Sequence, residues 1–163
     1  GWIAITNLSV KEKKYSKALF HIKKAIEIDE QNTMYWRKYA EINLKLNFFE
    51  EAVKAFERCL LLQDYELVIW IGLCDVLCFL GDYNDALTNL QRAKNYFKDF
   101  AEVEYRLSGL YFSLKNTKKG AEHLKKALEI DFEYHSIIRE LFPKVYSKSE
   151  VTDIIANFKK TSF

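Results

Sequence analysis

The sequence predicts an all-α chain, an α-solenoid of about four helix-turn-helix repeats closed by a C-terminal helical cap. Three observations predict it. One fixed step carries Trp2 to Trp36 and then to Trp70, and the column breaks only at Glu104, beside Tyr105. The same step joins Ala18, Ala52, Ala86 and Gly120, then Ile22, Phe56, Leu90 and Leu124, then Ala25, Cys59, Ala93 and Ala127, with no insertion. Self-similarity at a constant period of about 34 residues is the signature of a repeat architecture. Finally, five Gly and one Pro in 163 residues are too few for the tight turns of a β-sandwich or barrel, while 49% hydrophobic and 15% aromatic content is ample for a core.

The elements follow in order. Repeats are expected at 2–32, 33–66, 67–100 and 101–134, so the array spans 2–134 and the helical cap 135–163. On a helix turning roughly 100° per residue, the fourth, seventh, eighth and eleventh positions of a repeat fall near one direction and form the buried stripe of its first helix. The twentieth, twenty-fourth and twenty-seventh positions do the same for the second helix; in the third repeat they are Ala86, Leu90 and Ala93, small enough for close helix approach. Short polar breaks separate the two stripes at Lys13-Lys14, Asn47-Phe48, Gly81-Asp82 and Lys115-Asn116. Gly81 suits the left-handed residue that ends a helix, and Asp82 and Asn116 can accept hydrogen bonds from the free amides of the next. Beyond Tyr134 the period is lost. Ser136 to Phe142 reads as a short helix halted by Pro143, because a proline disfavours helical geometry in the residue before it. Ser147 followed by Glu150 is a capping-box pattern, and Val151, Ile154, Ile155 and Phe158 recur at helical spacing, so a last helix covers the final apolar face of the array.

These columns resemble the tetratricopeptide repeat. Repeat three carries the resemblance best, with Trp70, Leu73, Cys74, Leu77, Gly81, Tyr83, Ala86, Leu90 and Ala93 in the family's slots. Departures are Thr6 and Ser9 in the first repeat, Asn43 for a large apolar residue in the second, and the absence of the closing Pro throughout. The resemblance implies that the first helices line a concave surface holding peptides or helices of partner proteins. It also implies a scaffold and not an enzyme.

The residues themselves offer little chemistry. No phosphate-cradling glycine loop, nucleophile elbow or paired zinc-histidine motif is present, so no catalytic residue and no cofactor are expected. Glu50-Glu51 and Asp82/Asp85 sit at helix starts, where the macrodipole favours acids. Cys74 and Cys78 are four apart on one helix face, yet no His lies within helical reach of them; Cys59 and Cys74 occupy small-residue slots, and no metal site is expected. His21, His123 and His135 are scattered and read as ordinary surface or capping residues. Twenty-five Lys and Arg against 23 Asp and Glu leave a net charge of +2, with the lysines interleaved among acids, so nucleic acid is not an expected partner. No run of about 18 apolar residues is present, so membrane insertion is not expected either. An odd number of cysteines in a chain able to fold without staples points to a reducing compartment and a cytoplasmic location. Because the sequence starts at Gly1 and not at Met, a longer chain carrying a signal or a further domain is compatible with it.

The functional signal lies on the opposite side of the first helices. That face should be polar if it meets only water. In the second repeat it holds Met34, Arg37, Lys38, Glu41, Leu44 and Lys45; in the third Val68, Ile71, Gly72, Asp75, Cys78 and Phe79; in the fourth Glu102, Tyr105, Arg106, Gly109, Phe112 and Ser113. An apolar strip among isolated charges is what a peptide-binding groove needs, the anchors giving desolvation and the charges register. The expected site is therefore Met34, Arg37, Lys38, Glu41, Val68, Ile71, Asp75, Phe79, Tyr105, Arg106 and Phe112, with Leu44, Cys78 and Phe112 equally able to pack between repeats. Two or three anchors worth roughly 1.5 to 3 kcal/mol each support about micromolar binding after association costs. Members of the family that clamp a C-terminal carboxylate use Lys, Asn, Asn, Lys and Arg where this chain has Arg37, Glu41, Gly72, Glu102 and Arg106; only the two arginines agree and Glu41 and Glu102 would repel a carboxylate, so that subtype is not expected. The alternative function is a regulatory or oligomerisation module of a longer sensor or secretion-related protein, with a homodimer formed through the final helix.

Overall fold

Four turns recur with one geometry. In the computed structural model, which describes residues 1–163, Lys13, Asn47, Gly81 and Lys115 all adopt left-handed backbone, with φ of 59°, 60°, 83° and 66°. Each is followed by an amide that reaches back over the helix end: Lys14 donates to Ser9, Phe48 to Asn43, Asp82 to Leu77 and Asn116 to Tyr111, every bond 2.8 Å long. This is the six-to-one bond of a Schellman motif, repeated at the same step as the tryptophan column. Only Gly81 enters the left-handed region without a steric cost from Cβ.

The turns join helix pairs: α1 (Trp2–Lys11) with α2 (Tyr15–Ile28), α3 (Thr33–Lys45) with α4 (Phe49–Leu61), α5 (Leu67–Phe79) with α6 (Tyr83–Ala93), and α7 (Ala101–Ser113) with α8 (Thr117–Ile130). A 3₁₀ turn at Phe132–His135 leads into α9 (Ser136–Leu141), α10 (Pro143–Tyr146) and α11 (Ser149–Ser162). The chain divides into two units, Gly1–Val76 and Leu77–Phe163; α5 begins in the first and ends in the second.

In the first unit Ala18, Ile22, Ala25 and Ile42 form a core against which Trp2, Tyr35 and Tyr39 pack. Thr6 and Asn43, polar residues in apolar slots, are fully buried but satisfied: Thr6 Oγ1 donates to Trp2 O at 2.7 Å and Asn43 Nδ2 to Tyr39 O at 2.7 Å. A buried polar group costs little once it is hydrogen-bonded. Trp36 and Trp70 do the same job in successive repeats, their indole Nε1 donating to the preceding loop at Glu30 O (2.8 Å) and Tyr65 O (3.0 Å).

In the second unit the small-residue column ends in Gly120 because Phe112 stands beside it. A Cβ at Gly120 would lie 2.7 Å from the Phe112 ring. Leu44 with Ala52, Cys78 with Ala86 and Phe112 with Gly120 are the same pair of positions, so the largest partner goes with the smallest column residue. Pro143 both stops α9 and occupies the first position of α10, where its missing N–H costs nothing. The expected capping box is not formed. Lys148 is the N-cap of α11, and Ser147 Oγ instead donates to Lys144 O at 2.9 Å, tying the end of α10. Of the two expected N-cap side chains, Asn116 accepts from the Lys119 amide at 3.2 Å, whereas Asp82 makes no such bond.

Candidate functional site

The face expected to meet a partner is open on α3 and α5 and closed on α7. Met34, Val68 and Phe79 are 66%, 56% and 71% exposed. Val68, Ile71, Asp75 and Phe79 fall on one line of α5, with Ile71 and Asp75 half-buried between the two exposed ends. On α3 the corresponding line is Met34, Arg37, Lys38 and Glu41. Lys38 Nζ pairs with Glu41 at 2.9 Å on the surface, a contact worth little for stability.

Arg37 does not reach outward. Its guanidinium grips Asp64 through Nε (2.8 Å) and Nη2 (2.6 Å) and touches Glu66 through Nη1 at 3.2 Å, so α3 is tied to the loop that enters α5. Burial opposes the charged form, but the hydrogen bonds to Glu66 and Asp64 and their charges outweigh it and hold the group more firmly protonated. Arg37 therefore contributes geometry to the face and little free charge.

Tyr105, Arg106 and Phe112 correct the expectation. Tyr105 is fully buried, its hydroxyl donating to Asp131 O at 2.7 Å and its ring edge-on to Tyr134 at 5.9 Å; burial and then the nearby Asp131 charge raise its pKa. Arg106 is 4% exposed, with Nη1 donating to Glu102 O at 3.0 Å. Phe112 is 1% exposed. The cause is the segment from Asp131 onward: Asp131 and Tyr134 meet Tyr105, and α9 and α10 pack against α7. The Phe142 ring rests directly on Gly109, and any Cβ there would strike it. The inner face of the last first-helix is thus the seat of the cap.

A polar cluster that sequence reasoning missed stands where the tryptophan column breaks. Glu104 is fully buried at that position. Its Oε2 meets His123 Nδ1 at 2.5 Å, while Lys94 Nζ lies 2.8 Å and Lys126 Nζ 3.5 Å from Oε1. Oε1 has no aligned hydrogen-bond donor, so its contact with Lys94 is an ion pair more than a directed bond. Burial alone would push the carboxyl up, but the His123 hydrogen bond and the Lys94 ammonium overcome it and hold the pKa at about 2. Lys94 is the C-cap of α6, so Glu104 anchors a first helix to the loop before it, as Trp36 and Trp70 do, with acceptor and donor exchanged. The signal was available. His123 stands as far along the chain from Glu104 as His21 does from Trp2.

The histidines are not ordinary surface groups. His123 is stacked on Tyr111 at 5.3 Å as well as paired with Glu104. His21 is stacked on Trp2 at 5.6 Å and edge-on to Phe20 at 5.4 Å, and neither buried ring nitrogen has a hydrogen-bond partner. Among the cysteines, Cys59 is buried, its thiol donating to Thr33 O at 3.7 Å; burial and then the Asp64 charge push its pKa up to about 12. No group of three or more His, Cys, Asp or Glu side chains is placed to hold a metal ion, and no helix is long and apolar enough to cross a membrane.

Paired antiparallel helices with a recurrent Schellman turn define a helical-repeat protein of the α-solenoid class. The profile of the Tetratricopeptide repeat family matches residues 101–134, and in that segment and in its fold the chain is similar to tetratricopeptide repeat proteins. Anaphase-promoting complex subunit 3 of Schizosaccharomyces pombe is 22% identical over 140 residues; the match covers 86% of this chain, which spans 21% of that relative's own length. The crystal structure of MamA superposes with a TM-score of 0.79 at 17% identity, covering 96% of this chain and 91% of that one. YrrB, described as a TPR protein with an unusual peptide-binding site, superposes with a TM-score of 0.73 at 18% identity, covering 99% and 86%.

Proposed function

We propose that this chain is a non-enzymatic protein-interaction scaffold that holds a peptide or helix of a partner protein against the outward stripe of α3 and α5, the face that the family resemblance assigns to the concave side. The observation that carries the proposal is the exposure of three large apolar side chains, Met34, Val68 and Phe79, at positions that should be polar if they met only water. The Lys38–Glu41 pair beside Met34 offers one charge of each sign to fix a partner's register. Support comes from YrrB, whose description includes a peptide-binding site, and from a relative that is a subunit of a larger complex. Desolvating three such anchors by roughly 1.5 to 3 kcal/mol each gives about micromolar, exchangeable binding.

The test is a random-peptide display library selected on the whole chain. Selected peptides should lose at least about tenfold in affinity on the triple variant Met34→Asp/Val68→Asp/Phe79→Asp, whose exposed positions leave the fold intact. Peptides that bind that variant as tightly as the parent would overturn the proposal. A second reading, oligomerisation through the end of the array, has one observation in its favour: Phe163 is 79% exposed beside a cavity of about 570 Å³ lined by Phe132, Ile155 and Lys159. Light scattering distinguishes the two, because a stable dimer broken by Phe163→Asp supports the second and a monomer the first.

A further inference from the structure

The two ends of the repeat pattern are finished differently. α8, the last of the second helices, carries Gly120, Leu124 and Ala127 in the column of Ala18, Ile22 and Ala25; the turn at Phe132–His135 and α11 pack on α8, and that column is buried. α1, the earliest of the first helices, is bare. Ile5 is 42% and Leu8 56% exposed. One step along the chain their equivalents are Tyr39 and Ile42: Ile42 lies in one core with Ala18, Ile22 and Ala25 of α2, and Tyr39 packs against it. In the fourth repeat the equivalents are Leu107 and Leu110, both buried where α7 packs on α6. The stripe that seats a first helix on the second helix before it is therefore present on α1 and faces solvent. Glu12, standing where the second repeat has Leu46, pairs with Lys14 and marks the edge of the stripe. Next to Trp2, one turn from Ile5, Phe20 is 55% exposed with its ring edge-on to the indole at 6.4 Å, at a position held in later repeats by Lys54, Thr88 and Glu122.

A repeat stack that ends in water needs a polar outer face on its terminal repeat, because each repeat buries its apolar surface only against its neighbours. The outer face of α1 is of the opposite kind. What covers such a stripe is visible twice within the chain, α2 against α3 and α6 against α7, and each time the second helix runs straight into the first helix that it covers, through residues 29–32 and 94–100. A second copy of the chain offers no matching surface, since the small-residue columns of all four repeats are already buried. We propose that the exposed face of α1 is an interface between repeats: it receives the second helix of a further helix-turn-helix unit that leads directly into α1, with small residues at the places of Ala18 and Ala25 and a large apolar one at that of Ile22. Ile5 and Leu8 sit on that column as Tyr39 and Ile42 sit on α2. Trp2, with Phe20 beside it, meets the last turn of the incoming helix, as Glu104 meets Lys94 in the fourth repeat. This surface is separate from the α3 and α5 stripe and is covered whether or not a partner binds there.

The experiment places a duplicate of residues 1–34 in front of residue 1, which keeps the repeat step and presents a copy of α2 to α1. Leu8→Cys is introduced at the original position alone, in the parent chain and in the extended one, and iodoacetamide labelling of that thiol is followed by mass spectrometry. Labelling should be about tenfold or more slower in the extended chain, because the thiol passes from half-exposed to buried. Leu8→Asp should lower the urea midpoint by no more than about 0.2 M in the parent and by about 0.5 M or more in the extended chain, where the carboxylate is buried. A second extension, residues 33–68 in front of residue 1, brings a copy of α4 into the same register and should give the same protection. Thiol labelling at the parent rate in both extended chains, or equal midpoint shifts for Leu8→Asp with and without an extension, overturns the proposal. Light scattering that shows the parent chain as a dimer broken by Leu8→Asp assigns the face to a second copy and overturns it too.

Discussion

Replacing Glu104 by Gln keeps the shape of a buried side chain and removes the charge that Lys94, Lys126 and His123 surround. A carboxyl held at about 2 in the folded chain, against 4.5 when free, contributes ~3 kcal/mol at neutral pH. Deleting one partner of a buried pair typically costs about 3 to 5 kcal/mol, but Lys94 and Lys126 are about a third exposed and can turn their ammonium groups to water, so the loss is set nearer ~2 to 3 kcal/mol. The pH dependence is the sharper prediction. Because the folded value lies below the free one, the contribution is whole above about pH 5 and disappears as pH falls through 4.5 towards about 2. Urea unfolding of the wild type and Glu104→Gln should differ by ~2 to 3 kcal/mol at pH 7 and by about half of that at pH 3. An equal difference at the two pH values, or one below ~0.5 kcal/mol at pH 7, would refute the assignment of the charge cluster as the anchor of α7.

Three further outcomes are expected. Gly109→Val should cost ~1 to 3 kcal/mol by forcing a side chain into the Phe142 ring, and in the double variant with Phe142→Ala the two losses should sum to more than the measured total, as read from urea midpoints. Lys13→Gly should stabilise by ~0.5 to 1 kcal/mol and Gly81→Ala should destabilise by about as much, since both residues hold left-handed backbone; thermal unfolding measures each. Cys59 should resist iodoacetamide at pH 8 in the folded chain and react in urea, because a thiol with a pKa of about 12 has almost no thiolate to offer; mass spectrometry locates the label.

What the sequence revealed was whatever repeats. The turn residues Lys13, Asn47, Gly81 and Lys115 and the alanine column were legible because the same backbone problem is solved the same way once in every repeat. The cap was legible as a helical segment over the end of the array. The seating of α9 and α10 on α7 was not, because the contact between Phe142 and Gly109 is a long-range packing fact with no periodic trace, and without the segment from Asp131 onward Tyr105 and Phe112 look as available as Phe79. Glu104 shows in the sequence only as the break in the tryptophan column, for a related reason. A single acidic residue in an apolar column resembles a lapse until His123 and Lys94, which arrive from other helices, are placed against it. Arg37 shows the converse, since a charge on the expected face is spent within the chain on Asp64 and Glu66.

Hydroxyl-radical footprinting of the free chain tests most directly whether the first-helix face is open on α3 and α5 and sealed on α7. Met34 and Phe79 should oxidise readily while Tyr105 and Phe112 stay unlabelled until the chain unfolds. Labelling of Tyr105 and Phe112 at rates matching Phe79 in the native protein would show that the cap does not cover α7, and would contradict the account.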